Sequence, residues 1–407
     1  MNRLYIVAIF LLGILSMIGM PVSAENATQK VFQGSPVINS PAIVGNYPST
    51  PFLFYIPTSG ERPMKWSAVK LPKGLNLDTE TGIISGTVTE KGDYTVTLKA
   101  KNTQGVCERK FIIRIGDELL LTPPMGWNSW NTFGRHLTEE LVLQTADAMI
   151  ANGMRDLGYS YINIDDFWQL PERGTDGHLQ IDRRKFPHGI KYVADYLHER
   201  GFKLGIYSDA ADRTCGGVCG SYGYEEVDAK DFASWGVDLL KYDYCNAPAG
   251  RVEAMERYAK MGKALRATNR SIVFSICEWG QREPWKWAKQ VGGQLWRVSG
   301  DIGDVWYRDA NHIGGLRGIL NILEINAPLG EYAGPAGWND PDMLVVGIGG
   351  KSMSIGYESE GCNQEQYNSH FILWCMMASP LLCGNDVRSM NAVSYTHLRA
   401  HETRRHL

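Results

Sequence analysis

The sequence lacks an excess of basic residues, because 41 Lys and Arg stand against 44 Asp and Glu, for a formal net charge of −3. A protein that binds nucleic acid through charge carries a basic patch, so this composition argues against a nucleic-acid partner. The chain also lacks a second long apolar run after Met20, and nothing beyond that point predicts a membrane span. Apolar residues are not scarce, at 44%, which excludes intrinsic disorder.

Cysteine is scarce as well, with 8 residues in a chain of 407. Disulfides can therefore add to a hydrophobic core but do not replace one. The segment from Cys215 to Cys219 does not predict a zinc site, because no second cysteine pair or histidine cluster supplies the remaining ligands. Residues 394–407 hold three of the 9 His without any periodicity, and we interpret them as a non-native tail. A metal-binding His tail is the alternative interpretation.

The N-terminus has the pattern of a secretory signal peptide over residues 1–24. Positive charge at Met1 to Arg3 precedes an apolar run, and Val22-Ser23-Ala24 is a small-residue cleavage site. We expect cleavage after Ala24, a secreted or periplasmic location, and no membrane association afterwards. An uncleaved anchor is the alternative.

Two domains are predicted in the mature chain, after a flexible lead-in over 25–40. Residues 41–117 alternate apolar and polar side chains, as at Val96 and Leu98 around Thr97, with turn residues between the runs. This period of two predicts a small antiparallel sandwich that resembles Ig-like modules of exported bacterial proteins. We find no catalytic cluster in it and expect a spacing or docking role.

From residue 119 to 393 the pattern changes to short apolar strands alternating with amphipathic helices. This alternation predicts an α/β fold, specifically a (β/α)8 TIM barrel. The predicted strands cover residues 125–130, 161–166, 203–209, 238–244, 272–279, 295–301, 337–344 and 380–386, and the predicted helices include 138–154, 251–267 and 364–378.

Acidic residues mark the ends of these strands, except the first, which ends at Trp130. They are Asp166, Asp209, Asp243, Glu278, Asp301, Asp342 and Asp386. The carboxyl ends of barrel strands converge on one mouth, where the active sites of such barrels lie. Lys241 lies two residues before Asp243 and therefore on the same face of its strand, where its ammonium would keep that carboxylate ionised. Arg297 lies on the strand that leads to Asp301.

An ionised and a protonated carboxyl group across one mouth can hydrolyse a glycosidic bond, one attacking carbon and the other protonating the leaving oxygen. The competing chemistry is binding of Mg²⁺ or Ca²⁺ by the oxygen ligands of Asp165, Asp166, Asp340 and Asp342. We favour the glycosidase, because Lys241 and the 12 Trp and 19 Tyr suit a sugar better than a dication.

Ordered motifs over 119–393 resemble the catalytic barrel of glycoside hydrolase family 27, the α-galactosidase (melibiase) family. They are Pro-Pro-Met-Gly-Trp-Asn-Ser-Trp, Ile-Asn-Ile-Asp-Asp-Phe-Trp, Gly-Ile-Tyr-Ser-Asp, Leu-Leu-Lys-Tyr-Asp-Tyr-Cys-Asn, Cys-Glu-Trp-Gly, Trp-Arg-Val-Ser-Gly-Asp-Ile, Gly-Trp-Asn-Asp-Pro-Asp-Met-Leu and Ser-Pro-Leu-Leu-Cys-Gly-Asn-Asp. The resemblance implies an exo-acting, retaining hydrolase of terminal α-galactosides that needs no cofactor and no metal.

By the same resemblance, Asp243 would be the nucleophile and Asp301 the acid/base. The implied sugar contacts are Trp130 against the apolar face, Asp165 and Asp166 at the 6- and 4-hydroxyls, Tyr207 along the wall, and further hydrogen bonds from Lys241, Glu278, Arg297 and Asp342.

The resemblance also bears on cysteines and on chain length. It implies a disulfide between Cys215 and Cys245, while Cys277 has lost its usual partner because Gly293 stands there. We expect free thiols at Cys277, Cys375 and Cys383, and leave the other pairings open. Family members continue into an antiparallel C-terminal sandwich, so we expect that the recognisable sequence, which stops near 392, is truncated.

Alternative functions stay open at this point. The first is another substrate specificity within the same family: α-N-acetylgalactosaminidase, β-L-arabinopyranosidase or an isomaltose-releasing enzyme. Glu278 should crowd a 2-acetamido group and Asp165 should favour a sugar with a 6-hydroxyl, so both favour galactose. A non-catalytic carbohydrate-binding protein is the other alternative, against which the intact Asp243 and Asp301 argue. The natural glycan and the oligomeric state are not predicted.

Overall fold

The computed structural model describes residues 32–308, 316–352, 357–358 and 360–390. The predicted signal peptide and the tail over 394–407 lie outside these residues. Within them, no helix combines the length and the apolar character needed to cross a bilayer.

The N-terminal module is built from two β-sheets and a short strand pair. Its strands are β1 (Val37–Ile38), β2 (Ile43–Asn46), β3 (Pro51–Tyr55), β4 (Thr58–Ser59), β5 (Lys65–Val69), β6 (Leu75–Leu77), β7 (Ile83–Thr87), β8 (Gly92–Asn102) and β9 (Gly105–Ile115). One sheet has the order β2-β9-β8-β5, the other β3-β7-β6, and β1 pairs with β4. The predicted Ig-like β-rich region is therefore confirmed, and two residues of the predicted lead-in form β1.

The hairpin of β8 and β9 shows why this segment is sheet. Val96, Leu98 and Ala100 are fully buried, as are Phe111 and Ile113 on the partner strand, while the residues between them are more exposed. Successive side chains of a strand point to opposite faces, so this alternation gives each strand one core face. The apolar residues of the period-two sequence pattern are therefore the residues that face the core.

The second domain is a closed parallel barrel. Its strands are β10 (Met125–Asn128), β11 (Tyr161–Asn163), β12 (Lys203–Asp209), β13 (Leu239–Asp243), β14 (Val273–Cys277), β15 (Leu295–Arg297), β16 (Trp338–Asp340) and β19 (Leu381–Cys383), with a separate pair β17 (Lys351–Ser352) and β18 (Tyr357–Glu358). The order β16-β15-β14-β13-β12-β11-β10-β19 is parallel throughout, and a bridge between Leu344 and Cys383 closes it. The predicted (β/α)8 barrel is confirmed.

The helices alternate with the strands as predicted, except between β14 and β15, where the chain forms two short 3-10 helices, Pro284–Lys286 and Ala288–Val291. The α-helices are α1 (Trp130–Phe133), α2 (Glu139–Ala151), α3 (Ile190–Glu199), α4 (Glu225–Trp235), α5 (Arg251–Arg266), α6 (Ile319–Asn326) and α7 (Gln364–Met376). Most predicted strands were too long at their carboxyl ends. Trp130, for example, begins α1, because the side-chain oxygen of Asn128 accepts its N–H at 2.8 Å and turns the chain out of the strand.

The chain between the domains seals the amino-terminal end of the barrel. Leu119 and Leu120 are buried against residues at the start of strands: Tyr161, Leu239, Val273, Leu295 and Trp338. The Trp338 indole N–H donates to the Leu120 carbonyl at 2.8 Å. The end that remains for a ligand is therefore the carboxyl end of the strands.

Polar contacts fasten the module to this closed end. The Asp156 carboxylate accepts the Tyr55 hydroxyl at 2.6 Å and pairs with Arg62 at 2.7 Å. Farther along the interface, the hydroxyl oxygens of Thr50 and Ser271 lie 2.7 Å apart. The module thus packs on the floor of the barrel, away from the strand ends that carry the predicted site.

Candidate active site

The predicted site residues lie at the carboxyl ends of neighbouring strands. Tyr207 on β12 pairs in register with Lys241 on β13, and Asp209 pairs with Asp243, which pairs with Cys277 on β14. Residues paired across parallel strands point to the same side of the sheet. The barrel therefore places the side chains of these residues on one side, toward the mouth.

Asp243 is buried, with 4% exposure, and has defined partners on both oxygens. Oδ2 accepts the Tyr207 hydroxyl at 3.1 Å, and Oδ1 accepts the Tyr244 main-chain N–H at 3.0 Å. Burial raises the pKa of Asp243 to about 6, with Lys241 opposing and Asp301 adding to the rise. This is a fixed carboxylate whose ionisation depends on its neighbours, as a nucleophile near neutral pH requires.

Lys241 holds a second carboxylate beside the first. Its ammonium lies 2.8 Å from Oδ2 of Asp165, and the same oxygen accepts the Asn128 amide at 2.9 Å. Burial disfavours the charged ammonium, but Asp165, Cys277 and Asp243 outweigh it and raise the pKa of Lys241. Lys241 therefore stays charged and orients Asp165, which is 2% exposed.

Arg297 connects the other two predicted carboxylates. Its Nη2 lies 3.0 Å from Oδ1 of Asp301 and 2.9 Å from Oδ2 of Asp342. The Asp342 oxygen also accepts the Ile302 N–H at 2.8 Å, which ties it to the loop that carries Asp301. The Asp301 side chain is 45% exposed, whereas those of Arg297 and Asp342 are 4% exposed. Asp301 is therefore the member of this trio that solvent or a leaving group can reach.

Asp166 and Trp130 lie at the rim of the same mouth. Asp166 accepts the N–H groups of Gly216 and Phe167, each at 2.8 Å, and burial raises its pKa. The Trp130 ring is half-buried and lies parallel to the ring of Phe167, with centroids 6.2 Å apart. A partly exposed aromatic face beside buried acceptors suits a ring with one apolar face and several hydroxyls.

Cys215 and Cys245 form a disulfide with a Cα–Cα distance of 5.1 Å. The Cys215 sulfur lies 3.4 Å from Oδ2 of Asp243, so the bond closes the wall beside that carboxylate. The only group of potential metal ligands among the described residues is these two cysteines with Asp209 and Asp243. Because both sulfurs are in the disulfide, that group does not form a metal site.

Glu278 directly follows Cys277, the last residue of β14. Strand register puts Cys277 on the side of Asp243, and its sulfur lies 3.8 Å from Nη1 of Arg297. Glu278 is fully buried, and one of its carboxylate oxygens, Oε2, accepts the guanidinium of Arg282 at 3.0 Å. The other carboxylate oxygen, Oε1, is buried without a hydrogen-bond partner among the described residues, and the sugar contact of Glu278 stays a prediction.

Comparison with known proteins agrees with this geometry. The family described as Alpha galactosidase A matches residues 122–403, and an Ig-domain family matches residues 35–116. The chain belongs to the alpha-galactosidase A family. The predicted resemblance is confirmed.

Relatives of this family cover most of the chain. Alpha-galactosidase A of Cellvibrio japonicus is 46% identical over 70% of this chain and 67% of its own length. A protein of known structure from Bacteroides fragilis is 81% identical, with a TM-score of 0.89 over 92% of this chain and 78% of its own. An α-galactosidase from Saccharomyces cerevisiae, solved with raffinose, is 39% identical, with a TM-score of 0.63 over 69% of this chain and 62% of its own.

Two residues at this mouth, Asn128 and Cys277, were not among the predicted site residues. The Asn128 amide holds Asp165, and Cys277 pairs in register with Asp243. Asn128 was detectable, because it lies on the strand leading to Trp130. Cys277 was detectable from the alternation of side chains along a strand, because it pairs with Asp243 when β13 and β14 are aligned.

Proposed function

We propose that this α-galactosidase releases terminal α-linked galactose with retention of configuration, using Asp243 as the nucleophile and Asp301 as the acid/base. One observation carries the proposal. A fully partnered, buried carboxylate and a half-exposed carboxylate held by Arg297 lie close enough at one mouth that the charge of Asp301 raises the pKa of Asp243. Two carboxyl groups with unlike environments are the arrangement that retaining hydrolysis uses.

The reaction then proceeds in two displacements. An oxygen of Asp243 attacks the anomeric carbon, the bond to the leaving oxygen breaks, and Asp301 gives that oxygen its proton. Water next attacks the anomeric carbon of the galactosyl ester, Asp301 takes the proton of the water, and Asp243 leaves as a carboxylate. The Arg297 guanidinium, 3.0 Å from Asp301, holds that side chain in place in both steps and stabilises the carboxylate that remains after the proton is given.

The substrate class follows from the remaining side chains. Asp165 and Asp166 present oxygens fixed by Lys241 and by main-chain N–H groups, and would accept the 6- and 4-hydroxyls. Trp130 would cover the apolar face of the ring. We propose terminal α-galactosides of oligosaccharides or polysaccharides as substrates, with no cofactor, and an exported location. The Cys215–Cys245 disulfide supports an oxidising compartment.

Leaving-group dependence tests the two assignments. Asp301→Ala should slow cleavage of raffinose by roughly 10²–10⁴-fold, because the departing sugar oxygen needs a proton. Formation of the galactosyl-enzyme from a dinitrophenyl α-galactoside should change far less, and azide should then restore turnover as α-galactosyl azide. Asp243→Ala should abolish galactosyl-enzyme formation from both substrates.

The first sugar product must also be α-galactose, observed by proton NMR before mutarotation. Initial β-galactose would exclude retention. Equal losses on both substrates in Asp301→Ala, without azide rescue, would move the acid/base role away from Asp301.

A further inference from the structure

The loop that carries Asp301 contains a second acidic residue, Asp304, which has no part in the proposed mechanism. Asp304 is 6% exposed although it lies in a loop at the mouth of the barrel. A buried carboxylate is costly unless hydrogen bonds replace the water that it loses. The hydrogen-bond partners of Asp304 therefore show which segments hold this loop.

Hydrogen-bond donors from two other segments converge on the Asp304 carboxylate. Oδ2 accepts the Gly350 N–H at 2.7 Å and the Tyr367 hydroxyl at 2.6 Å, while Oδ1 accepts the Cys362 N–H at 3.1 Å. The Tyr367 oxygen in turn accepts the Gly349 N–H at 3.1 Å. Gly349 and Gly350 belong to the loop after β16, and Tyr367 is on α7. Asp304 thus fastens one βα loop to the next loop and helix.

Close packing at this junction indicates a defined geometry. Gly361 has a φ of 73°, and a Cβ there would lie 2.7 Å from the Gly350 nitrogen and 3.2 Å from Oδ2 of Asp304. A side chain at 361 would therefore displace the donors from the carboxylate. The close packing at Gly361 therefore keeps the Gly350 N–H within hydrogen-bond distance of the Asp304 carboxylate.

Besides the contact of its side chain with Arg297, the chain at Asp301 is held by hydrogen bonds to Asp342 and Arg317. Asp342 accepts the Ile302 N–H at 2.8 Å, and the Arg317 N–H donates to the Asp301 carbonyl at 2.7 Å. Farther along the loop, the Gly303 N–H donates to the Arg317 carbonyl at 2.8 Å, and Asp304 follows as the next side chain that anchors the loop. Both side-chain anchors, Asp342 at Ile302 and Asp304 itself, therefore hold the loop within three residues on the carboxyl side of Asp301.

We infer that Asp304 is a positioning residue for the acid/base, clamping the loop of Asp301 to Gly350, Cys362 and Tyr367. The inference rests on the proposed function of Asp301. A displacement of about 1 Å in a catalytic group can cost about 10²-fold in rate. Loss of the clamp should therefore slow the steps in which Asp301 transfers a proton and spare the attack by Asp243.

Asp304→Asn tests this inference, because either orientation of the amide turns its NH2 group toward an N–H or O–H donor. We expect kcat/KM for raffinose to fall by roughly 10–100-fold. Glycosylation by the dinitrophenyl α-galactoside should be nearly unchanged, and azide should accelerate its turnover. Tyr367→Phe removes a single donor and should give the same pattern with a smaller loss, which keeps the test open if Asp304→Asn folds poorly.

Asp156→Asn is the matched control. That carboxylate is also buried and also accepts a tyrosine hydroxyl at 2.6 Å, but it lies at the closed end of the barrel. Asp156→Asn should lower kcat/KM for raffinose and for the dinitrophenyl α-galactoside by the same factor, or leave both unchanged.

Asp301→Ala, measured alongside, separates the possible failures. If Asp301→Ala discriminates between leaving groups while Asp304→Asn and Tyr367→Phe affect both substrates equally, the inference is wrong and the proposed function stands. If Asp301→Ala does not discriminate, the proposed function fails and the inference fails with it.

Discussion

Tyr207→Phe should shift the acid limb of the pH–rate profile toward higher pH while leaving activity at high pH nearly intact. The Tyr207 hydroxyl donates to Oδ2 of Asp243 at 3.1 Å, and the substitution removes that donor without changing the ring. Burial and the neighbouring Asp243 raise the pKa of Tyr207, so the hydroxyl keeps its proton and remains a donor over the working range.

The magnitude follows from the hydrogen bond that is lost. A hydrogen bond to a charged group contributes about 1.5–3 kcal/mol, and about 1.4 kcal/mol corresponds to one pH unit. Burial raises the pKa of Asp243 to about 6, and losing the donor should raise it further by about 1 to 2. Because only ionised Asp243 attacks, kcat/KM at pH 5 should fall roughly 10–100-fold, whereas at pH 9 the carboxylate is mostly ionised in both proteins.

The assay is kcat/KM for p-nitrophenyl α-galactoside between pH 4 and 9. Tyr258→Phe is the control, because that buried hydroxyl donates at 3.2 Å to the carbonyl of Tyr242, an uncharged acceptor. It should leave the acid limb in place. A loss of equal size at every pH in Tyr207→Phe would refute the reasoning, since it would show that the hydroxyl does not stabilise the ionised nucleophile.

Two further predictions concern specificity and stability. Asp165→Glu should lower kcat/KM for α-galactosides but spare the matching pentopyranoside, because the longer side chain, held near Lys241 and Asn128, would fill the space of the exocyclic CH2OH group; equal losses on both substrates would show that Asp165 does not contact that position. Burial opposes ionisation of Asp238, but Arg270 and His198 outweigh it and lower its pKa to about 2, below the ordinary value of about 3.9. Ionised Asp238 therefore adds about 2 kcal/mol above pH 4, which is lost as the pH falls from 4 to 2. The melting temperature of Asp238→Asn should lie well below that of the parent at pH 7 and approach it at pH 2.5; a gap independent of pH would contradict this linkage.

Much of the fold and family could be predicted because the relevant signals are local. Apolar and polar residues alternate along β8 and β9, and the short strands of the barrel recur between amphipathic helices. The motifs around Asp243 and Asp301 lie at strand ends, where the barrel must bring them together. None of this requires knowledge of how one strand is aligned with the next.

The tertiary structure decided which side chains face one another beyond the ends of the strands. Register placed Cys277 on the side of Asp243 and brought the Tyr207 hydroxyl to the same carboxylate. It also joined Asp304 to Gly350 and Tyr367, which are distant in sequence. The alternation of side chains along one strand is a local property. Strand register, loop direction and the partners of a buried carboxylate depend instead on contacts between segments that are far apart in the chain. The sequence pattern of a single segment does not specify those contacts.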